Sequence, residues 1–119
     1  MKRILLGVCL LGWNYGVFAA SAVEYVAAVE QINADYKKES RQFLSSLNPQ
    51  QQGFRPEQNA KFCGIVGRYV DRLYQAADQN RAYLDRQFKN MTKQDVIREV
   101  KLSKEMQLLK RYHVDCNLQ

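Results

Sequence analysis

The chain has 119 residues, with 18 Lys and Arg against 12 Asp and Glu, a formal net charge of +6, and 46% hydrophobic residues. That is room for one domain, and too apolar a composition for a disordered tail. Two Pro, six Gly and one His, with no glycine-rich phosphate loop, exclude collagen-like and turn-rich β architectures and most standard catalytic or cofactor-binding constellations.

Residues 1–22 read as a secretory signal peptide. Lys2 and Arg3 form a positive n-region, the stretch from Ile4 through Leu11 is an apolar h-region, and Ala19, Ala20, Ser21 and Ala22 supply small residues for a peptidase. Cleavage is expected after Ala22, with Ala19 or Ala20 as alternatives. Trp13, Asn14 and Gly16 interrupt the apolar run before it reaches the ~20 residues of a spanning helix, so no stable membrane anchor is expected after cleavage. Cys9 lies inside the h-region rather than after it, which argues against a lipoprotein. The expected compartment is therefore the periplasm. Removing residues 1–22 takes the chain from 119 residues to 97 and the net charge from +6 to +4, leaving a single domain over 23–119.

The first helix is expected over residues 23–47. Tyr25, Val29, Ile32, Tyr36, Phe43 and Leu47 fall on one face, while Lys37, Lys38, Arg41 and Gln42 point to solvent. Pro49 and Gly53 mark residues 48–55 as a loop. Pro56 suits the first turn of a second helix, which the apolar spacing of Phe62, Val66, Tyr69, Val70, Leu73, Ala77, Leu84, Phe88 and Met91 carries to about Asn90. Gly64 and Gly67 weaken its first turns and would permit close helix–helix approach. Thr92 and Asp95 form a capping box, with Met91 and Val96 as a hydrophobic staple, so a third helix starts there and runs to about Tyr112.

Two cysteines survive export, Cys63 and Cys116, and an even count in an exported chain reads as a disulfide. Their midpoint, 89.5, falls within two residues of the turn expected at 90–92, as it should if the second and third helices form an antiparallel hairpin closed at its open end. Closing that loop is worth about 4 kcal/mol in lost denatured-state entropy. The expected fold is all-α: an elongated three-helix bundle with an antiparallel hairpin of helices two and three closed by one disulfide.

The chemistry-bearing residues resolve into few constellations. Cys63, Cys116 and His113 have acceptable zinc-ligand spacing, but they lack a fourth ligand and the disulfide removes both thiolates, so neither metal nor cofactor is expected. His113 suits the C-terminal end of the third helix as a cation or hydrogen-bond donor. Asp71, Asp78 and Asp85 recur one heptad apart, over 10 Å per step along the axis, and read as a solvated flank paired with cations such as Arg81 and Lys89. No acid–base or nucleophilic set meets the geometric requirements of catalysis, so the chain is not expected to be an enzyme.

Two surfaces remain. Lys61, Arg68, Arg72 and Arg86 fall within about 40° of one direction on the second helix, nearly opposite its apolar side. On the third helix, Val96, Ile97 and Val100 point one way and Leu102, Met106 and Leu109 another. The second set is either buried in the groove between the other helices or left as an apolar docking stripe. Together these residues suit an envelope protein with an acidic surface. The apolar set would also suit two-fold pairing of two copies. Export and modest charge exclude nucleic acid. The expectation is an exported, non-enzymatic accessory factor that assists an envelope assembly of pilus, secretion or conjugation type. The alternative is a periplasmic immunity protein or inhibitor of a toxin or cell-wall hydrolase, using the 48–55 loop as its inserting element.

Overall fold

The computed structural model describes the backbone of residues 2–119 and the side chains from residue 22 onward. The side chains that define the signal-peptide expectation, apart from Ala22, lie outside the described residues. Among the described residues there are four α-helices and no strands: α1 (Lys2–Ser45), α2 (Pro56–Gln79), α3 (Lys93–Lys101) and α4 (Lys104–Lys110). None of these helices is long and apolar enough to cross a membrane, among the residues described.

α1 and α2 pack as an antiparallel pair. Phe43 lies against Phe62 with ring centroids 5.6 Å apart, and Arg68 pairs with Glu39 at 2.8 Å and Arg72 with Asp35 at 3.0 Å, so α1 numbers fall as α2 numbers rise. The stripe expected on the first helix is the one that packs: Ile32 and Phe43 are buried, and Tyr25, Val29, Tyr36 and Leu47 are half-buried. Ser45 and Ser46 end α1 by donating their hydroxyls to the carbonyls of Gln42 and Phe43, a local bond that competes with helix continuation. Phe62, Val66 and Val70, four residues apart on α2, form the centre of the core with Phe43, Ile65, Val96, Ile97, Val100, Met106, Val114 and Cys116. Phe54 completes an aromatic cluster at 5.3 Å from Phe43 and 5.7 Å from Phe62. Ile32, Ala76, Ala77 and Leu84 are also buried, outside that cluster.

Cys63 and Cys116 form the expected disulfide. The expected second and third helices need three corrections. First, α2 stops at Gln79, not near Asn90. Asn80 terminates it: its side-chain amide donates to the Ala76 carbonyl, taking the place of a helical bond, and residues 81–91 turn through two single 3-10 turns, Arg81–Tyr83 and Arg86–Phe88. Leu84 is thereby buried, while Tyr83 and Phe88 are exposed. Second, α3 begins at the expected capping box. Thr92 Oγ1 accepts from the Asp95 amide and the Asp95 carboxylate accepts from the Thr92 amide at 2.9 Å, but the helix ends at Lys101. Ser103 turns extended, accepts from the Met106 amide and starts α4, so the single third helix is in fact two. Third, the helical glycines do not mark a close approach. A Cβ at Gly67 would meet nothing within 4 Å, and one at Gly64 would meet only the end of Arg68 at 3.8 Å.

α4 ends in a Schellman motif. The Val114 amide donates to the Leu109 carbonyl and the His113 amide to the Lys110 carbonyl, with His113 in the left-handed region at φ 65°. Leu109 and Val114 supply the accompanying apolar contact positions, and both belong to the core region. Glycine is the usual residue at this position, because a Cβ is disfavoured at positive φ.

Candidate protein-docking surface

The basic row of α2 is partly committed within the molecule. Arg68 and Arg72 reach across to Glu39 and Asp35 on α1, and Gln31 also donates to Asp35. The Gln31 hydrogen bond first, and Arg72 second, hold the Asp35 carboxyl below its ordinary range. The two arginine side chains nevertheless keep 60% and 43% of their surface, so they pair internally and still face solvent. Lys61 is exposed beside them. Arg86 is exposed too, but it stands in the second 3-10 turn rather than on α2, so the helical projection that joined it to the row does not apply.

The apolar stripe is divided by the break at Ser103. Met106 is 5% exposed and belongs to the core, Leu109 is half-buried against that core, and Leu102 at 63% exposure stands in solvent. The break lets Val96, Ile97, Val100 and Met106 all reach one core, which a single straight helix would not allow. Met106 is therefore not available as a docking residue, and Leu102 alone of the three is freely presented.

Two of the three acidic residues expected on the second helix are paired, whereas Asp85 stands beyond α2 at the start of the second 3-10 turn and makes no ion pair with Lys89. Asp71 meets Lys93 at 2.7 Å and Asp78 meets Arg81 at 2.7 Å. Arg81 does more than pair: it also donates to the carbonyls of Lys89 and Met91 and to the Tyr74 hydroxyl, and it lies 5.7 Å from the Tyr74 ring centroid. The hydrogen bond to Asp78 raises its already high pKa further. Tyr36 and Tyr69 stack between α1 and α2 at 4.1 Å, and burial pushes both hydroxyls up. Among the described residues, no group of three or more His, Cys, Asp and Glu side chains is placed to hold a metal ion.

The 48–55 loop is braced rather than free. Asn48 Oδ1 accepts from the Gln50 amide, and Gln51 donates to the Gly53 carbonyl and to Gln58 on α2, whose side chain also accepts from the Arg55 amide. It forms one wall of a groove of about 840 Å³ whose other walls are the end of α1 and the end of α4. Leu44, Leu47, Pro49, Phe54, Leu109, Arg111, Tyr112 and His113 line it. The sequence reading named the loop but not its opposite wall. The signal for that wall was faint: Leu109 and Val114 five apart at a helix end, with a histidine where glycine would announce the turn.

No protein-family model matches the chain, and no curated protein and no solved structure matches it either.

Proposed function

We propose that the chain is an exported, non-enzymatic protein-binding factor that assists or stabilises a cell-envelope assembly of pilus, secretion or conjugation type. The observation carrying this reading is how the polar chemistry is used. Both mature cysteines are joined, and six carboxylates stand in ion pairs with Lys or Arg, whereas Lys61, Arg86 and Leu102 are presented to solvent. A disulfide persists in an oxidising compartment, in keeping with export through residues 1–22 into the periplasm. In this reading α2 and the returning α3–α4 segment act as a hairpin within an elongated bundle, its open end closed by the disulfide. The exposed cations steer an acidic partner, and Leu102 adds apolar contact.

The test is crosslinking in intact cells of tagged protein, with mass spectrometry of what is captured. A multicomponent envelope assembly is expected, and Lys61→Glu with Arg86→Glu should reduce its capture without lowering Tm. Capture that survives both charge reversals refutes the assigned surface, and recovery of the protein alone refutes the accessory role.

The bracing of the 48–55 loop favours a second reading, a periplasmic immunity protein or inhibitor, since an inserting element held in one conformation loses less freedom on binding. Capture of a single toxin or cell-wall hydrolase, abolished by Gln52→Glu at the exposed loop position, would select it.

A further inference from the structure

The groove between the 48–55 loop and the end of α4 combines three properties. Its surface is largely apolar, with Leu44 and Tyr112 both substantially exposed at its mouth. Its lining holds the Arg111 cation and the His113 imidazole, an N–H donor, but no carboxylate, and Arg111 has no ion-pair partner among the described residues. Its two walls hold the only positive-φ residues among those described. Gly53 at φ 79° lets the loop come so close that an added Cβ would stand 3.1 Å from the Tyr112 carbonyl, and His113 at φ 65° turns the chain at the end of α4. The Schellman cap that ends α4 thus places the His113 side chain on the groove wall, in a backbone conformation glycine would adopt more easily.

We propose that this groove is a docking site for an extended acidic peptide segment, which seats one apolar side chain against Leu44 and Tyr112 and sets its carboxylates against Arg111 and His113. The class of partner rests on the protein-binding reading above; the groove itself is separate from Lys61, Arg86 and Leu102. Charge complementarity selects the occupant. An exposed apolar floor calls for an apolar side chain, and a rim with the Arg111 cation, an imidazole N–H donor and no carboxylate calls for anions. A second copy of this chain is disfavoured by the same logic, because a two-fold contact through this rim would bring Arg111 against its own like charge.

The test uses the full-length oxidised protein and two fluorescein-labelled peptides of about eight residues, each with one tryptophan, one flanked by aspartates and the other by lysines. Anisotropy should show the aspartate peptide binding at least about tenfold more tightly than the lysine peptide, with affinity falling as salt rises. In ¹H–¹⁵N spectra its addition should shift amides of residues 44–54 and 109–113. Arg111→Glu, at an exposed position, should weaken binding by about tenfold, and Leu44→Asp should do so as well. His113→Gly separates structure from recognition. It should raise Tm while weakening the peptide by about threefold, whereas a purely structural histidine would raise Tm and leave affinity unchanged. Equal binding of the two peptides, shifts confined to other residues, unchanged affinity in His113→Gly, or sedimentation showing a dimer that Leu44→Asp dissociates would each overturn the proposal. None of these outcomes touches the in-cell capture that tests the accessory role, so the two can fail independently.

Discussion

Opening the Cys63–Cys116 bond should remove a large share of this protein's stability. The bond closes a loop with a sequence separation of 53 that contains most of α2, both 3-10 turns, α3 and α4. Loop-closure entropy for that length is about 4 kcal/mol at 25 °C, a factor of about 10³ in the folding equilibrium. Cys116 is also buried in the core, so replacing it with alanine leaves a gap of roughly methyl size and adds about 1 kcal/mol. Domains of this size have about 5–15 kcal/mol in total, so the double variant Cys63→Ala/Cys116→Ala loses between about a third of it and all of it. Urea titration followed by circular dichroism at 222 nm measures the effect in three samples: oxidised wild type, reduced wild type and the double variant. With a urea m-value of about 1.5 kcal/mol/M, the reduced protein should unfold about 2.5–3 M earlier than the oxidised one, and the variant slightly earlier still. The m-value should rise on reduction, because the denatured chain loses its crosslink and exposes more surface. Oxidised and reduced midpoints within about 0.5 M of each other would refute the loop-entropy reasoning.

Gly67→Ala should stabilise the protein by about 0.5–1 kcal/mol in the same titration, since the position is mid-helix and open space surrounds the added methyl. Gly53→Ala should instead destabilise by about 1–2 kcal/mol, through positive φ and the 3.1 Å approach to the Tyr112 carbonyl. Arg81→Ala frees the carbonyls of Lys89 and Met91 from their donor, so limited proteolysis should show faster cleavage within residues 82–91, with α1 and α2 initially intact. The Asp95 carboxyl is held below its ordinary 3.8 first by the Thr92 amide and then by the Thr92 hydroxyl. Its contribution is therefore full above 3.8 and lost as pH falls through the lowered folded value; the acid limb of a stability–pH curve should be shallower in Asp95→Asn.

How far the fold was legible depends on whether the signal was local. Thr92 and Asp95 act within one turn, and their capping box is where the spacing put it. The Cys63–Cys116 pairing followed from the midpoint of the two cysteines and an even count over residues 23–119, and the α1 stripe from its periodicity. The end of α2 was hidden because Leu84, Phe88 and Met91 continue a helical spacing that no helix uses. Asn80 and Ser103, both strong local hydrogen-bonding residues, were the available signs of the breaks. Arg81 looked like a surface partner of Asp78, and only the folded chain shows that it also holds two carbonyls ten residues or fewer away. On the candidate surfaces, projection along one helix identified exposed cations but could not see Glu39 and Asp35 arriving from α1 to meet two of them. It also could not see Met106 turning inward once α4 had reset its direction.

The placement of the disulfide divides the chain mechanically. A pull on the two termini passes from Cys63 through the sulfurs to Cys116, so the intervening segment carries no load. Only the residues outside the loop can lengthen, at about 3.3–3.6 Å each. α1 lies wholly outside it and is joined to α2 by the chain of residues 46–55 alone, with no crosslink. Tension from the N-terminal side therefore strips α1 away first, breaking Arg72–Asp35 before Arg68–Glu39, while the segment between Cys63 and Cys116 keeps its length. The molecule behaves as a tether joined to an inextensible knot.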